Sequence, residues 1–227
     1  YALKDKYLFT FTFRADGSSK FSPDNQWGYF PAGAFAWKVT NESFMDDIKW
    51  LNNLKVRASY GSVGNDGISA NLWSQAWASE TDLRFQYAIN GVRQTTYDLA
   101  SSTLANPNLK WETTITRDIG ADFSLFNNRL SGTIDYYHNT TQDLLMLTTI
   151  PGITGFTSTY ANVGQTSNKG FEFSLNGTIF ENNDWRVTAG GNINFNNSNV
   201  DELAPNVTGL YGSSWGGIAA YPTNDYI

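Results

Sequence analysis

The chain has 227 residues, 15% of them aromatic and 16% charged, with a formal charge of -6 and no cysteine. The acidic balance argues against a nucleic-acid partner, which would need clustered Lys and Arg. The missing thiols exclude disulfides, thiolate catalysis and cysteine-held metals. Mean hydropathy is polar, at -0.38, and no apolar run reaches the roughly 18 residues of a helical span. A transmembrane β-barrel remains compatible, because it places apolar residues only at alternate positions and dilutes them with polar loops.

The opening residues, YALKDKYLFTFTF, lack the basic start, apolar core and cleavage site of a signal peptide. The expectation is that targeting has been removed or that the chain starts partway through a longer protein. The same residues alternate, with Tyr7, Phe9, Phe11 and Phe13 on one face and Leu8, Thr10, Thr12 and Arg14 on the other. That period of two predicts a strand with different neighbours on its two faces.

Further alternating stretches follow. Around 28–40, Tyr29, Gly33, Phe35 and Trp37 oppose Phe30, Ala32, Ala34 and Lys38. Next, Leu54, Val56, Ala58 and Tyr60 oppose Lys55, Arg57, Ser59 and Gly61. Over 111–125, Ile115, Ile119, Ala121, Phe123 and Leu125 oppose Thr116, Asp118, Gly120, Asp122 and Ser124. Leu130, Gly132, Ile134 and Tyr136 oppose Ser131, Thr133, Asp135 and Tyr137. The last two runs set Phe171, Phe173 and Leu175 against Glu172 and Ser174, then Val187, Ala189, Ile193 and Phe195 against Arg186, Asn192 and Asn194. About seven strands result, several at the roughly 9–11 residues that a tilted membrane strand needs.

Connections alternate between short and long. Asn127-Asn128 predicts a tight hairpin, since Asn tolerates positive φ, with Leu125 opposite Leu130 and Asp122 opposite Thr133. Between Phe180 and Trp185 a two-residue loop would set Ile179 against Arg186, so an odd-length loop with a bulge is expected. Residues 40–53 are expected to hold a short helix begun by Asn41 or Ser43. The segments 14–28, 63–110, 143–167 and 197–227 are long and rich in Gly, Asn, Ser and Thr. Up-and-down strands put all long loops at one end, as outer-membrane barrels do.

The blocks RADGSSKFSPDNQWGYFPAGAFAWKVTNESFM from Arg14, LKVRASYGSVGN from Leu54, NPNLKWETT from Asn106, FNNRLSGTIDYYHNTTQDLL from Phe126 and NVGQTSNKGFEFSLNG from Asn162 resemble, in order and spacing, the barrel of SusC/RagA-type TonB-linked outer-membrane transporters. The resemblance implies an all-β, antiparallel transmembrane barrel of about 22 strands, closed around an N-terminal plug and energised through TonB. It further implies a SusD-like surface lipoprotein as lid and an oligosaccharide or peptide as cargo. Residues 1–227 are expected to be an interior segment of that barrel in a Gram-negative-type outer membrane, with the plug and remaining strands absent. The alternatives are a β-rich carbohydrate-binding module whose aromatics pack between two sheets, and a barrel recruited as scaffold into an envelope complex. A glycosidase is a weaker third possibility.

Within this frame Lys55, Arg57, Asp118, Asp122, Asp135, Glu172 and Arg186 face the lumen. Mutual pairing is their expected role, ahead of a substrate path. Arg57 and Asp122 are expected to bond. The loop aromatics Trp73, Trp77, Phe85, Tyr87, Tyr97, Tyr211 and Trp215 are the place to look for ligand or lid, although packing loop against loop is the expected role of each. Tyr29, Trp37, Tyr60, Phe123, Tyr136 and Trp185 are assigned to interfacial girdles. Arg117 falls on the lipid face and must lie near an interface, snorkel or mark a bulge. His138, the only histidine, is expected to face solvent at a strand's outer end. The run GSVGNDG from Gly61 reads as a loop entry. No Ser nucleophile elbow or H-E-x-x-H occurs, so no catalytic residue, cofactor or metal is expected, with SPDNQ and NNSNVDEL the only weak calcium candidates.

Overall fold

The computed structural model describes residues 1–203. Eight antiparallel strands form one sheet in chain order: β1 (Ala2–Leu3), β2 (Tyr7–Gly17), β3 (Trp27–Lys38), β4 (Leu51–Asn65), β5 (Glu112–Leu125), β6 (Leu130–Gln142), β7 (Gln165–Glu181) and β8 (Arg186–Glu202). The seven long strands are those read from alternation. They run further than the alternation alone indicates, because β4 continues through the glycine run as far as Asn65 and loop begins only at Asp66.

Register fixes two faces. Phe9, Phe35, Ala58, Ile119, Tyr136, Phe171 and Phe195 form one continuous row across β2–β8. The neighbouring row on the opposite face is Ala36, Arg57, Gly120, Asp135, Glu172 and Asn194. No second sheet covers the apolar face among the described residues. Phe9 is 47% exposed, Phe35 37% and Val187 45%, while Phe123 and Phe173 are half-buried by their strand neighbours. A patch this broad does not belong in water. The sandwich alternative, which needs these residues in a dry centre, is thereby overturned. No helix of the described residues is long and apolar enough to cross a membrane, and the sheet does not close on itself within them.

The connections divide between the two ends of the strands, the two longest at one of them. Residues 4–6, 39–50, 126–129 and 182–185 join strands at one end, while 18–26, 66–111 and 143–164 lie at the other. At 126–129 the register is as expected, Leu125 opposite Leu130 and Asp122 opposite Thr133. Positive φ covers Phe126 as well as Asn127 and Asn128. The parity problem near Ile179 is solved differently from expectation. The loop 182–185 has an even length, and a bulge between Thr178 and Phe180 alone shifts the register. Residues 39–50 hold two short 3-10 helices, Val39–Asn41 and Ser43–Met45. Ser43 opens the second, whereas Asn41 ends the first and caps nothing.

Candidate functional site

The only hydrophobic core among the described residues sits at the long-loop end. Phe21 and Leu109 are fully buried and Ile68 nearly so, with Leu72, Trp111, Leu145 and Tyr160 packed around them. Trp111 lies 5.5 Å from both the Phe21 and Phe30 rings and donates Nε1–H to the Gln26 carbonyl. Phe30 fills the space above Gly28 and Gly64, where a side chain would strike its ring. Polar contacts tie the same loops together. Ser22 Oγ donates to the Pro107 carbonyl at 2.8 Å, Asn106 Nδ2 to Tyr160 O at 2.9 Å, and Asn162 Nδ2 to both Lys110 O and Asp143 O. Ser18 Oγ meets Asp66 Oδ2 at 2.7 Å. Each quoted block of the resemblance from Arg14, Asn106 and Asn162 thus contributes to one loop platform, and satisfied polar groups hold it where apolar burial is small.

Beyond this platform lie the loop aromatics. Trp77 belongs to a two-stranded ribbon, Trp77–Ser79 with Tyr97–Leu99, and Phe85 to a 3-10 turn, Leu83–Phe85. Arg84 holds the capping Asp82 carboxyl below its ordinary range through hydrogen bonds. Tyr87 precedes a hairpin turned by Asn90-Gly91, both at positive φ. The 63–110 segment is thus divided by a small hairpin, for which the Asn-Gly pair is the sequence signal. Trp77, Phe85, Tyr87 and Tyr97 are each more than half exposed, whereas Trp73 is half-buried and its Nε1 has no partner among the described residues. Tyr211 and Trp215 lie outside the described residues.

On the polar face the charges converge. Arg57 contacts Asp122 (Nε–Oδ1 3.1 Å), Asp135 (Nη2–Oδ1 2.6 Å) and Asp118 (Nη1–Oδ1 3.6 Å), while Lys55 pairs with Asp122 at 2.6 Å. The Arg57–Asp122 bond matches expectation; the reach to Asp135, two strands away, depends on Gly120 lying between them. Arg186 stands apart at the turn end, 3.6 Å from Glu181. Glu172 lies opposite Asp135 in the ladder and has no cationic partner among the described residues. Mutual pairing accounts for five of the seven charges, and Arg186 pairs outside the set.

At the short-turn end Glu42 accepts hydrogen bonds from Lys6 Nζ (2.8 Å), Tyr7 OH (2.7 Å) and Trp37 Nε1 (3.1 Å). Those donors hold its carboxyl at about 2. Trp37 and Trp185 flank this end, Tyr29 and Tyr60 lie toward the other, and Tyr136 sits midway along β6. Phe123 departs from the girdle assignment: its ring occupies the space over Gly132 instead of projecting. Arg117 sits in an unbroken ladder, its guanidinium 5.8 Å from the Tyr60 ring centroid and hydrogen-bonded to Thr140 Oγ1. It is therefore not a bulge. His138 is half-buried on the same outward face, opposite Arg117, and not at a solvent-facing strand end. No cluster of three metal-ligating side chains occurs among the described residues.

A single up-and-down sheet with an exposed apolar belt, a wet charged face and long loops gathered at one end is the wall of a transmembrane β-barrel. The family profile "TonB dependent receptor-like, beta-barrel" matches residues 1–226, and the chain belongs to that family. It is 44% identical over 190 residues to TonB-dependent receptor P26 of Formosa agariphila, covering 83% of the chain and 18% of the relative. It is 38% identical over 204 residues to TonB-dependent receptor SusC of Bacteroides thetaiotaomicron, covering 89% and 20%. Among solved structures, the RagAB peptide importer in its open-open state superposes with a TM-score of 0.81 at 30% identity, over 95% of this chain and 22% of that one. The chain spans about a fifth of the length of the curated relatives it matches.

Proposed function

We propose that this sheet is part of the wall and mouth of an outer-membrane transporter that imports an oligosaccharide or peptide in a TonB-dependent manner beneath a SusD-like lipoprotein lid. The observation that carries the reading is the loop platform. Its core of Phe21, Leu109 and Trp111 is built from the sequence blocks shared with the family and holds the ends of four long strands at one rim. A rigid rim lets exposed aromatics such as Trp77, Tyr87 and Tyr97 offer flat apolar faces to a sugar ring or a peptide side chain. The paired charges of the wall keep the lumen hydrated and perform no bond chemistry. Among the described residues β8 has no partner on its outer edge and β1 is short at the other, which suits a sheet continued by further strands, since an open edge inside a bilayer leaves backbone groups unsatisfied.

The test is uptake by cells producing the complete transporter. Labelled oligosaccharides and peptides are offered with and without a functional TonB and with and without a SusD-like lipoprotein. Energy-dependent accumulation of one class supports the reading. Accumulation that is indifferent to TonB, or absent for both classes, contradicts it.

A further inference from the structure

One outward row breaks the apolar pattern. Arg117, His138 and Lys169 occupy the same register position on β5, β6 and β7, so strands about 4.8 Å apart place the three residues' Cα atoms within roughly 10 Å. Immediately on the short-turn side the outward row is Ile119, Tyr136 and Phe171. On the long-loop side it turns polar from β6 onward, with Thr140, Ser167 and Asn199. The basic row therefore marks the extracellular edge of the belt. Neither Arg117 nor Lys169 has a carboxylate partner among the described residues, and both side chains are exposed. A second observation adjoins the first. An open trough of about 900 Å³ begins at Arg117 and His138 and runs over Ala58, walled by Phe9 and Phe35 on one side and by Ile119 and Tyr136 on the other.

Cations at the rim of an apolar trough complement a molecule with an anionic head and a hydrocarbon tail. We propose that this face is a docking site for a phosphate-bearing lipid of the outer leaflet, its phosphate at Arg117, His138 and Lys169 and an acyl chain along Ala58. Arg117 supplies a planar fork suited to phosphate oxygens, and its stacking on Tyr60 fixes the fork's direction. Lys169 adds a point charge, and His138 adds an imidazole donor between them. The leaflet follows from topology, since the row lies on the long-loop side of the belt. The site is independent of the cargo and lies on the opposite face of the wall from the lumen.

The complete transporter is reconstituted into phosphatidylcholine nanodiscs doped with lipid A or with dephosphorylated lipid A, and lipid retained after transfer to detergent is measured by native mass spectrometry. Lipid A is expected to be retained and its dephosphorylated form lost. Because a surface cation contributes roughly fivefold to anionic-lipid affinity, the R117Q/K169Q double variant is expected to retain about twenty-five-fold less. The charge-keeping pair Arg117→Lys with Lys169→Arg retains most of it, and this arm stands if the neutral variant fails to give a heat-modifiable barrel. Equal retention of the two lipids, or undiminished retention by the folded R117Q/K169Q variant, overturns the proposal.

Discussion

Arg57 reaches over Gly120 to Asp135, Nη2 to Oδ1 at 2.6 Å, joining β4 to β6 across the intervening β5. A Cβ at position 120 would overlap the Asp135 carboxylate and lie 3.1 Å from Arg57 Cζ. One missing methyl group thus lets a single guanidinium serve Asp118, Asp122 and Asp135. Replacing Gly120 by Ala is expected to separate Arg57 from Asp135 and lower stability by about 1–3 kcal/mol, the range for losing a charged hydrogen bond with some overpacking. The midpoint of heat-induced mobility shift on gels reads this directly.

Removing the guanidinium tests the same lattice from the other side. Arg57→Met leaves three carboxylates facing only Lys55. The loss is expected at about 1–3 kcal/mol, below the roughly 3–5 of a dry site, because lumenal water screens the orphaned charges. Arg57→Lys should recover little, since one ammonium lacks the fork that contacts separate carboxylates. Thermal unfolding in detergent at two salt concentrations separates these cases, with a smaller gap at high salt.

Glu42 gives a pH dependence of definite sign. Its carboxyl is held at about 2 in the folded protein, below the ordinary value near 4.3. Its contribution is therefore complete above about pH 4.5 and is lost as pH falls through about 2. Hydrogen exchange of residues 4–8 and 37–42 should accelerate over that window. Glu42→Gln keeps acceptors for Tyr7 and Trp37 but loses the Lys6 ion pair, so exchange there should become faster at neutral pH and flat across the acid range.

The loop platform predicts coupled loss of order. Leu109→Ala empties a fully buried site and is expected to cost about 2–5 kcal/mol locally, freeing 18–26, 66–72 and 143–145 together. Limited proteolysis should then cut all three segments while the strands stay protected. Gly64→Ala is expected to mimic it in part, because the added methyl displaces Phe30 from its seat against Trp111.

The strands were legible because a sheet with lipid on one side and water on the other imposes strict alternation, and residues such as Phe9, Ile119 and Phe171 obey it without exception. The Leu125–Leu130 pairing was legible for the same reason, since a slip would exchange the faces. The details of 182–185 were not, because parity requires one extra residue without saying whether loop or strand supplies it, and Ile179 does so as a bulge. The loop platform was hidden too. Phe21, Ile68 and Leu109 carry no periodicity, and only three-dimensional closure of distant loops brings them together. The Arg57 fork required knowing that Gly120 separates Arg57 from Asp135, which register alone reveals.

The central claim is that one face of this sheet meets acyl chains and the other meets water. The chain has no cysteine of its own, so single cysteines introduced along β2, β5 and β7 can carry spin labels in the complete protein in bilayers once any cysteine elsewhere in it is replaced. Collision rates should favour oxygen at Phe9, Ile119 and Phe171 and a water-soluble nickel chelate at Thr10, Thr116 and Glu172, alternating residue by residue. Equal access of the chelate to both sets, or exclusion of both probes from Phe9, Ile119 and Phe171, would contradict it.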